Sequence, residues 1–552
     1  MPLRRLFIAL ALIAALSPPT YAAVQDGSEL PDNGRLDWHA NASTITRIQK
    51  ALAQARLYSG PQDGRVTPEL ISAIKAYQRT ASLPETGKIT PDLADKLEMW
   101  LRVEQLRLQL DQTSREHKEA ARQALLSNPE TRGLLDTKTL QPADPTRDSS
   151  PCFDSPTIVC LLEEASQSAR AVAKVEMRDW AFNELLVAQA EAGMSDAALD
   201  TAKSLSDPRL ILVALRDIAE AHARAGRTEE ALRAAGLVPD AARRREAFAA
   251  IAAILAARGE TNAARDAAEE LRTALNSLPE NAEKVSVFAQ LASILYLTED
   301  RAEGTVYLDK ALFLADSLGA GREGARRTVA VALAGMGRAE EAVDMAVELK
   351  LESDRTSVYV AAVKAYVQAG KAQEALKAAR AITEERYRAV ALAQAIPALD
   401  KELAGQVVSE AITAAEATKS PFARAFGFSR VASAQAEVHL DGALKTVEKI
   451  DNEHLKASTL WAIALKLRKQ GRIGDARRVE TRAKEAGASI AAALTQVWVF
   501  SDLALEHHRL GETEQAEDAF AKARDAARTI ADPWQRSRAL ARLGGILIKL
   551  ED

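Results

Sequence analysis

A repeat marked by glycine dominates the second part of this 552-residue chain and restricts what it can fold into. An alanine stands five residues after each turn glycine, and an apolar side chain stands eight residues before it. These turn glycines are Gly193, Gly226, Gly259, Gly337, Gly370, Gly471 and Gly511. Positions eight and eleven before the glycine share one helical face, and glycine ends a helix because it adopts the left-handed conformation cheaply. The pattern therefore predicts pairs of antiparallel helices.

The spacing of the glycines gives the size of the repeat. Positions 193, 226 and 259 are 33 residues apart, which matches one helix–turn–helix unit. Two weaker units keep the apolar face, at Phe288 and Phe428, but lose the glycine, and a unit near 386–421 is degenerate. We therefore expect about ten stacked helix pairs over residues 156–552, in an all-α protein with an α-solenoid.

These repeats resemble tetratricopeptide repeats in the glycine, the alanine five residues later, and the apolar and small residues before the glycine. The resemblance implies a binding scaffold whose concave groove is lined by the first helix of each pair. We expect Trp180, Trp461 and Trp498 to lie on those helices as a partner-binding groove, with a core position as the alternative for each. No regular row of Lys and Arg recurs at groove-facing positions, so a clamp for a partner's terminal carboxylate is not indicated.

A separate compact pattern occupies residues 40–98. Ile45, Ile48 and Leu52 share one helical face, and turn signals follow at 59–64 and 82–87. Proline at the first position of a helix follows an N-cap threonine at Thr90. The segment therefore predicts three short helices around a small core.

This segment resembles the peptidoglycan-binding domain found beside many wall hydrolases and transpeptidases. The matching residues are Gln49, Leu52, Tyr58, Gly60, Asp63, Gly64, Ala73, Ile74, Tyr77, Gln78, Leu83, Pro84, Gly87 and Leu93. The resemblance implies that peptidoglycan binds here, and we assign Tyr58, Asp63, Tyr77 and Gln78 as candidate ligand contacts. Each has a structural alternative, since Asp63 can cap its turn and the pair Tyr77 and Gln78 can serve helix packing and turn bonding.

The first 23 residues have the features of a cleavable signal peptide. Arg4 and Arg5 precede an apolar run from Leu6 to Leu16, and small residues follow near Ala22. That run is shorter than the about 20 apolar residues that cross a bilayer. We therefore expect an exported, periplasmic protein with no membrane span in its mature form.

Two further segments are predicted to connect the domains. Residues 99–126 contain neither proline nor glycine and predict a helical stalk. Residues 127–155 contain several prolines among polar residues and predict a linker.

The chain contains two cysteines, Cys152 and Cys160. In an oxidising compartment an even number of cysteines favours a disulfide, and the alternative is a pair of free thiols. Because the enclosed loop is short, we expect a bridge to contribute about 2–3 kcal/mol.

Composition argues against nucleic-acid binding and against catalysis. The net charge is −5, without the clustered basic surface that nucleic acid requires. The 7 histidines are scattered, with no zinc-ligand spacing and no nucleophile motif. We therefore expect no metal, no cofactor and no enzyme activity.

Together these features predict a non-catalytic scaffold that binds peptidoglycan through its N-terminal domain and recruits envelope proteins through its repeats. Two alternatives stay open: a regulatory subunit of a cell-wall hydrolase or synthase complex, and a degenerate peptidoglycan hydrolase.

Overall fold

The computed structural model describes residues 41–135, 142–144 and 147–551. The predicted signal peptide, residues 1–23, lies outside these ranges. The described residues form helices and turns, without strands, and they make two compact units that meet between Ser114 and Arg115. The predicted all-α class is confirmed.

The first unit is built from three helices whose ends are specified locally. They are α1 (Ala42–Gln54), α2 (Pro68–Thr80) and the first part of α3 (Pro91–Ser127). Side-chain oxygens of Asn41, Thr67 and Thr90 accept backbone N–H groups at the three helix starts, at 2.8, 3.2 and 3.1 Å. The buried core contains Ile45, Ile48, Leu52, Tyr58, Leu70, Ile74, Tyr77, Leu93, Leu97 and Leu101.

The boundary between the units falls inside α3, within the segment that the sequence predicts as a stalk. Three short elements follow: α4 (Pro129–Arg132), a 3-10 turn (Gly133–Leu135) and α5 (Ser150–Asp154). Leu125, Leu134 and Phe153 are buried in the core of the second unit. Parts of the predicted stalk and linker therefore pack on the second unit, because they carry large apolar side chains.

The second unit consists of two alternating sets of helices. The odd-numbered set is α7 (Val175–Glu191), α9 (Pro208–Arg224), α11 (Ala241–Ala257), α13 (Ala282–Leu297), α15 (Arg322–Gly335), α17 (Glu352–Gln368), α19 (Glu385–Ala395), α21 (Pro421–Val438), α23 (Glu453–Lys469), α25 (Ala493–Arg509) and α27 (Pro533–Glu551). The even-numbered set is α6 (Ile158–Arg170), α8 (Ser195–Ala202), α10 (Thr228–Gly236), α12 (Thr261–Ala274), α14 (Arg301–Ser317), α16 (Ala339–Glu348), α18 (Ala372–Arg380), α20 (Lys401–Ala417), α22 (Leu440–Val447), α24 (Ile473–Ala488) and α26 (Thr513–Arg528).

The second unit is a closed ring. Each odd-numbered helix packs against the next odd-numbered helix, and the last of them, α27, packs against the first, α7. Helix α27 also packs along α6, which therefore completes a pair whose two helices come from opposite ends of the repeat region. Among the described residues the ring contains eleven pairs, ten of consecutive helices and one split pair. The expected helical repeats are confirmed, and their closure is an additional finding.

The turn glycines and the alanines after them explain how the pairs pack. The glycines predicted to end helices have positive φ, for example +77° at Gly193 and +75° at Gly226. Alanines five residues later, such as Ala198 and Ala231, are fully buried where the two helices of a pair approach each other. One of the units without the glycine keeps the same conformation at Glu299, whose φ of +65° is uncommon for a residue with a Cβ atom.

The odd-numbered helices form the inner layer of the ring. They pack side by side all the way round, whereas successive even-numbered helices lie farther from each other, as an outer layer must. Eleven helices at about 8–10 Å between axes place those axes on a circle about 30 Å across. Since each helix is about 10 Å thick, an opening of about 20 Å remains.

Specific contacts join α27 to α6 and to α7. Ser537 Oγ donates a buried hydrogen bond of 2.9 Å to Ala165 O, and Arg538 Nε lies 2.8 Å from Glu184 Oε2. A Cβ atom on Gly544 would lie 2.7 Å from Leu162 Cδ2, so α27 and α6 approach as closely as they do because this position is glycine.

Candidate functional site

Gln49 fixes the first turn of the N-terminal unit. Its side chain is fully buried, and its Oε1 accepts the backbone N–H of Gly64 at 2.8 Å while its Nε2 donates to Arg65 O at 2.9 Å. Gly64 has a φ of +76°, and a Cβ atom there would lie 2.9 Å from Ala42 O. The turn therefore requires both glutamine and glycine.

Gln78 fixes the second turn in the same way. Its Oε1 accepts the backbone N–H of Gly87 at 2.9 Å, and its Nε2 donates to Thr86 Oγ1 at 3.0 Å. Gly87 has a φ of +65°. Gln78 is 6% exposed and both ends of its amide are bonded within the fold, so it supports the turn that precedes α3.

The two predicted tyrosine contacts are also buried. Tyr77 is 2% exposed and meets Trp100 edge-on at 5.4 Å between ring centroids, and burial raises the pKa of its phenol. Tyr58 is buried as well, and its hydroxyl donates to Pro61 O at 3.1 Å. The side chains of both tyrosines therefore shape the module from inside.

Asp63 is the one exposed residue among the four candidate contacts. Its Oδ1 accepts the backbone N–H of Arg65 at 3.0 Å, and this bond lowers the pKa of the Asp63 carboxyl. The carboxylate therefore caps its turn, as the structural alternative predicts, and also lies at the surface where a ligand can reach it. The structure brings Asp63 and Gln49 together and places Tyr77 and Gln78 at the other turn.

In the ring, two of the predicted groove tryptophans lie on the inner helices that flank α27. Trp180 of α7 and Trp498 of α25 each stand thirteen residues before a turn glycine, with α27 between them. The guanidinium of Arg538 on α27 lies 4.8 Å from the Trp180 ring centroid and 5.8 Å from that of Trp498. Trp180 is 51% exposed, so part of its ring is available to a ligand.

Sequence reasoning missed two members of this cluster, Trp534 and Arg538. Trp534 meets Trp180 edge-on at 5.4 Å, and Arg538 lies 4.7 Å from the Trp534 ring centroid. Cation–π contacts of this kind are worth about 0.5–2 kcal/mol each, depending on desolvation. No turn glycine follows α27 in the sequence, so the register that identified the other inner positions could not be extended to it.

Trp461 takes the core position that is the alternative for each of the three tryptophans. Its side chain is 6% exposed and meets His507 edge-on at 6.2 Å, so it packs between inner helices and does not line the ring opening. Trp461 stands ten residues before its turn glycine, whereas Trp180 and Trp498 stand thirteen before theirs. An offset of three residues turns a side chain by about 60° around the helix, which is enough to move it into the interface.

The two cysteines belong to the closure of the ring. Cys152 and Cys160 are joined in a disulfide, with Cα atoms 5.5 Å apart. The bridge links α5 to α6, and Phe153 beside it lies 5.4 Å from the guanidinium carbons of both Arg528 and Arg536. Arg528 also pairs with Asp154. The bridged segment therefore contacts the last helices of the ring.

Two general properties of the described residues bear on function. Their helices include none that combines the length and the apolar character of a membrane span. Within the same ranges, no group of three or more His, Cys, Asp or Glu side chains is placed to hold a metal ion.

Residues 41–97 match the family described as "Putative peptidoglycan binding domain". No curated protein sequence is significantly similar to the chain.

Among solved structures, the chain is similar to Ton1535 from Thermococcus onnurineus NA1, at 17% identity and a TM-score of 0.26, over 66% of this chain and 99% of that one. It is also similar to the pentatricopeptide repeat protein PPR10 from maize, at 15% identity and a TM-score of 0.28, over 87% of this chain and 73% of that one. A circular tandem repeat protein is similar at 14% identity and a TM-score of 0.15, over 92% of this chain and 96% of that one. The chain thus combines a module that matches the peptidoglycan-binding family with a series of helical repeats.

Proposed function

We propose that this protein is a non-catalytic periplasmic scaffold that binds peptidoglycan through its first unit and recruits envelope proteins to the ring. The observation that carries the proposal is the match of residues 41–97 to the peptidoglycan-binding family. The signal-like segment at the start of the sequence supports export, and peptidoglycan is found in the compartment to which such a segment leads.

The arrangement of the first unit supports a binding surface built from its two turns. Gln49 and Gln78 hold these turns rigidly, and side chains on their outer rim, including Asp63, Gln62 and Arg65, are exposed. Prepared donors and acceptors of this kind suit a polar glycan because little conformational entropy is lost when it binds. On this proposal, Tyr58, Tyr77 and Gln78 act by shaping the surface.

The ring supports the recruiting role. Stacked helix pairs present a large surface on a rigid frame, and joining it to a wall-binding module raises the concentration of a partner at the wall. Most of the described residues of the ring lie in its inner and outer helices.

Co-sedimentation with purified sacculi tests the anchor. Gly64→Val should disrupt the first turn, because valine does not tolerate a φ of +76° and its Cβ would meet Ala42 O. Gly324→Val is the matched control, since nothing lies within 4 Å of its Cβ position. We expect the wild type and Gly324→Val to pellet with sacculi and Gly64→Val to pellet far less. Equal pelleting of all three would place wall binding elsewhere.

Two further experiments separate the proposal from its alternatives. Cross-linking in intact cells, followed by identification of the captured proteins, distinguishes a general scaffold from a subunit of one wall hydrolase or synthase complex. A zymogram on embedded peptidoglycan addresses the degenerate hydrolase, and a cleared band from the purified chain would overturn the non-catalytic role.

A further inference from the structure

One inner helix of the ring is shorter than its neighbours. Helix α19 has 11 residues, whereas its neighbours α17 and α21 have 17 and 18. The six residues that it lacks relative to α17 correspond to about 9 Å of helix. Pro397, in the 3-10 turn Ile396–Ala398, accounts for the early end, because proline lacks the N–H that a continuing helix would need.

The early end of α19 leaves a cavity of about 330 Å³ in the inner layer. Residues of α17, α21 and α23 line it, together with Gln394 and Pro397 at the end of α19. All of these elements belong to the inner layer, so the cavity lies in the wall of the ring opening. It coincides with the unit near 386–421 that the sequence identifies as degenerate.

The cavity is lined by an excess of positive charge. Lys364, Arg430 and Lys466 contribute three cations, and Glu437 is the one acidic side chain among the lining residues. Lys466 pairs with Glu437. Lys364 and Arg430 have no ion-pair partner among the residues that the structure describes. Two cations are therefore left to attract an anionic ligand.

The side-chain amide of Gln394 in the cavity wall indicates that a ligand should also supply a hydrogen-bond donor. Gln394 Oε1 is buried and accepts no hydrogen bond from any described residue. A buried acceptor without a donor is unfavourable, and a ligand that supplies an N–H group removes this cost. The lining thus suits a molecule with both carboxylates and amide N–H groups, which is the chemistry of a short acidic peptide.

The dimensions favour a small or extended ligand over a folded one. The cavity is near the lower end of the about 300–1,000 Å³ range of small-molecule sites. A folded domain of 100 residues, with a radius of gyration of about 13 Å, is too wide to enter an opening of about 20 Å. A flexible peptide of a few residues can enter it.

We propose that this cavity binds the carboxylate-bearing stem peptide of peptidoglycan, so that the ring makes a second contact with the wall. The inference rests on the proposed function, because it takes the first unit to hold the chain at peptidoglycan. Arg430 and Lys364 pair with carboxylates of the peptide, and the Gln394 amide turns into the cavity so that its Oε1 accepts one of the peptide's backbone N–H groups. The first unit and the ring then recognise different parts of one polymer.

Isothermal titration of the full chain with stem tetrapeptide released from peptidoglycan tests the proposal. We expect binding to the wild type and a loss of affinity of at least tenfold in Lys364→Gln and in Arg430→Gln. Lys469→Gln is the control, since this exposed lysine lies on the same helix as Lys466 but does not line the cavity. The same tetrapeptide with amidated carboxylates should bind at least tenfold more weakly.

Three results would overturn the proposal: affinity unchanged in the double variant Lys364→Gln/Arg430→Gln, equal binding of the amidated peptide, or tighter binding of a Glu-rich linear protein peptide than of the stem peptide. Circular dichroism of each variant checks that its helices are intact. Sacculus binding by this double variant, compared with Gly64→Val, separates this inference from the anchor. If Gly64→Val abolishes pelleting while the tetrapeptide fails to bind, only the cavity assignment falls.

Discussion

The two units of this protein reach a defined structure by different means. In the first unit, buried glutamines hold two tight turns by hydrogen bonds to backbone groups 15 and 9 residues ahead in the chain. In the ring, helix pairs rich in alanine repeat around a circle, and the last contact joins residues more than 350 positions apart, such as Arg538 and Glu184. The module depends on hydrogen bonds between residues of one short segment, whereas the ring depends on polar and apolar contacts between its two ends.

This difference predicts which changes remain local. A lost hydrogen bond in a small module removes a large part of its stability, because a core of three short helices has little to spare. A repeat ring distributes stability over neighbouring interfaces, but closure gives every pair two neighbours and so removes the exposed ends that an open solenoid has.

Deleting α27 should cause the largest loss of stability, and this loss should be confined to the ring. Leu540, Leu543 and Ile546 are fully buried, and the loss of each such side chain costs about 2–5 kcal/mol. A chain that ends at Asp532 should therefore lose protection from hydrogen exchange in α6, α7 and α25, while the turns of the first unit keep theirs. Wild-type protection throughout the truncated ring would contradict a structural role for closure.

Acid should weaken the ring through His222. Burial, and then the nearby Arg227 guanidinium, lowers the pKa of His222 to about 4. The unfolded chain, with a pKa near 6.5, binds this proton first, so stability is present above about pH 6.5 and falls as the pH drops towards 4, by about 3 kcal/mol in total. Urea unfolding of the wild type at pH 7.5 and 4.5 measures the change.

His222→Gln provides the matched variant for that measurement. Glutamine already stands at the equivalent position of two other pairs, as Gln189 and Gln435, where each accepts a threonine hydroxyl at 2.7 Å. The variant should lose less stability than the wild type between the two pH values. An identical loss would assign the acid sensitivity to other groups.

The disulfide should make an intermediate contribution to the free energy of unfolding. The Cys152–Cys160 bridge closes a loop with a sequence separation of 8, which corresponds to about 2–3 kcal/mol on the chain-entropy model. Reducing agent should lower the free energy of unfolding of the ring by that amount. The double variant Cys152→Ser/Cys160→Ser should have a lower free energy of unfolding from the start and should not respond to the reductant. A response of the double variant to the reductant would show that the effect lies elsewhere.

Gln49→Ala should have the smallest effect on the free energy of unfolding and should confine it to the first unit. The variant leaves the buried N–H of Gly64 without its acceptor, at a cost of about 1–3 kcal/mol. Hydrogen exchange over residues 58–66 of the full chain should become faster, with no change in the ring. Gln62→Ala, at an exposed position of the same turn, is the control. An equal change in exchange rate in both variants would show that Gln49 does not stabilise the turn.

Much of the fold follows from local sequence signals, and the candidate site follows less well. Thr90 caps a helix where the pattern predicts its start, because capping depends only on the next few residues. Tyr77 and Gln78 were identified as candidate contacts, but their orientation depends on the packing of three helices, and it places them inside. The sequence leaves Trp461 between a groove and a core position for the same reason, because the register of an inner helix decides whether a side chain faces the opening or a neighbouring helix.

The sequence by itself determined the helix pairs, their turns and the family of the first module, because each is specified by residues that are close together in the chain. Only the tertiary structure decided that the repeats close into a ring with a split pair. Closure depends on the sum of small rotations between all successive pairs, and no single repeat contains that sum. The cavity beside α19 is likewise a tertiary feature, since the space it occupies is defined by the neighbours of the shortened helix.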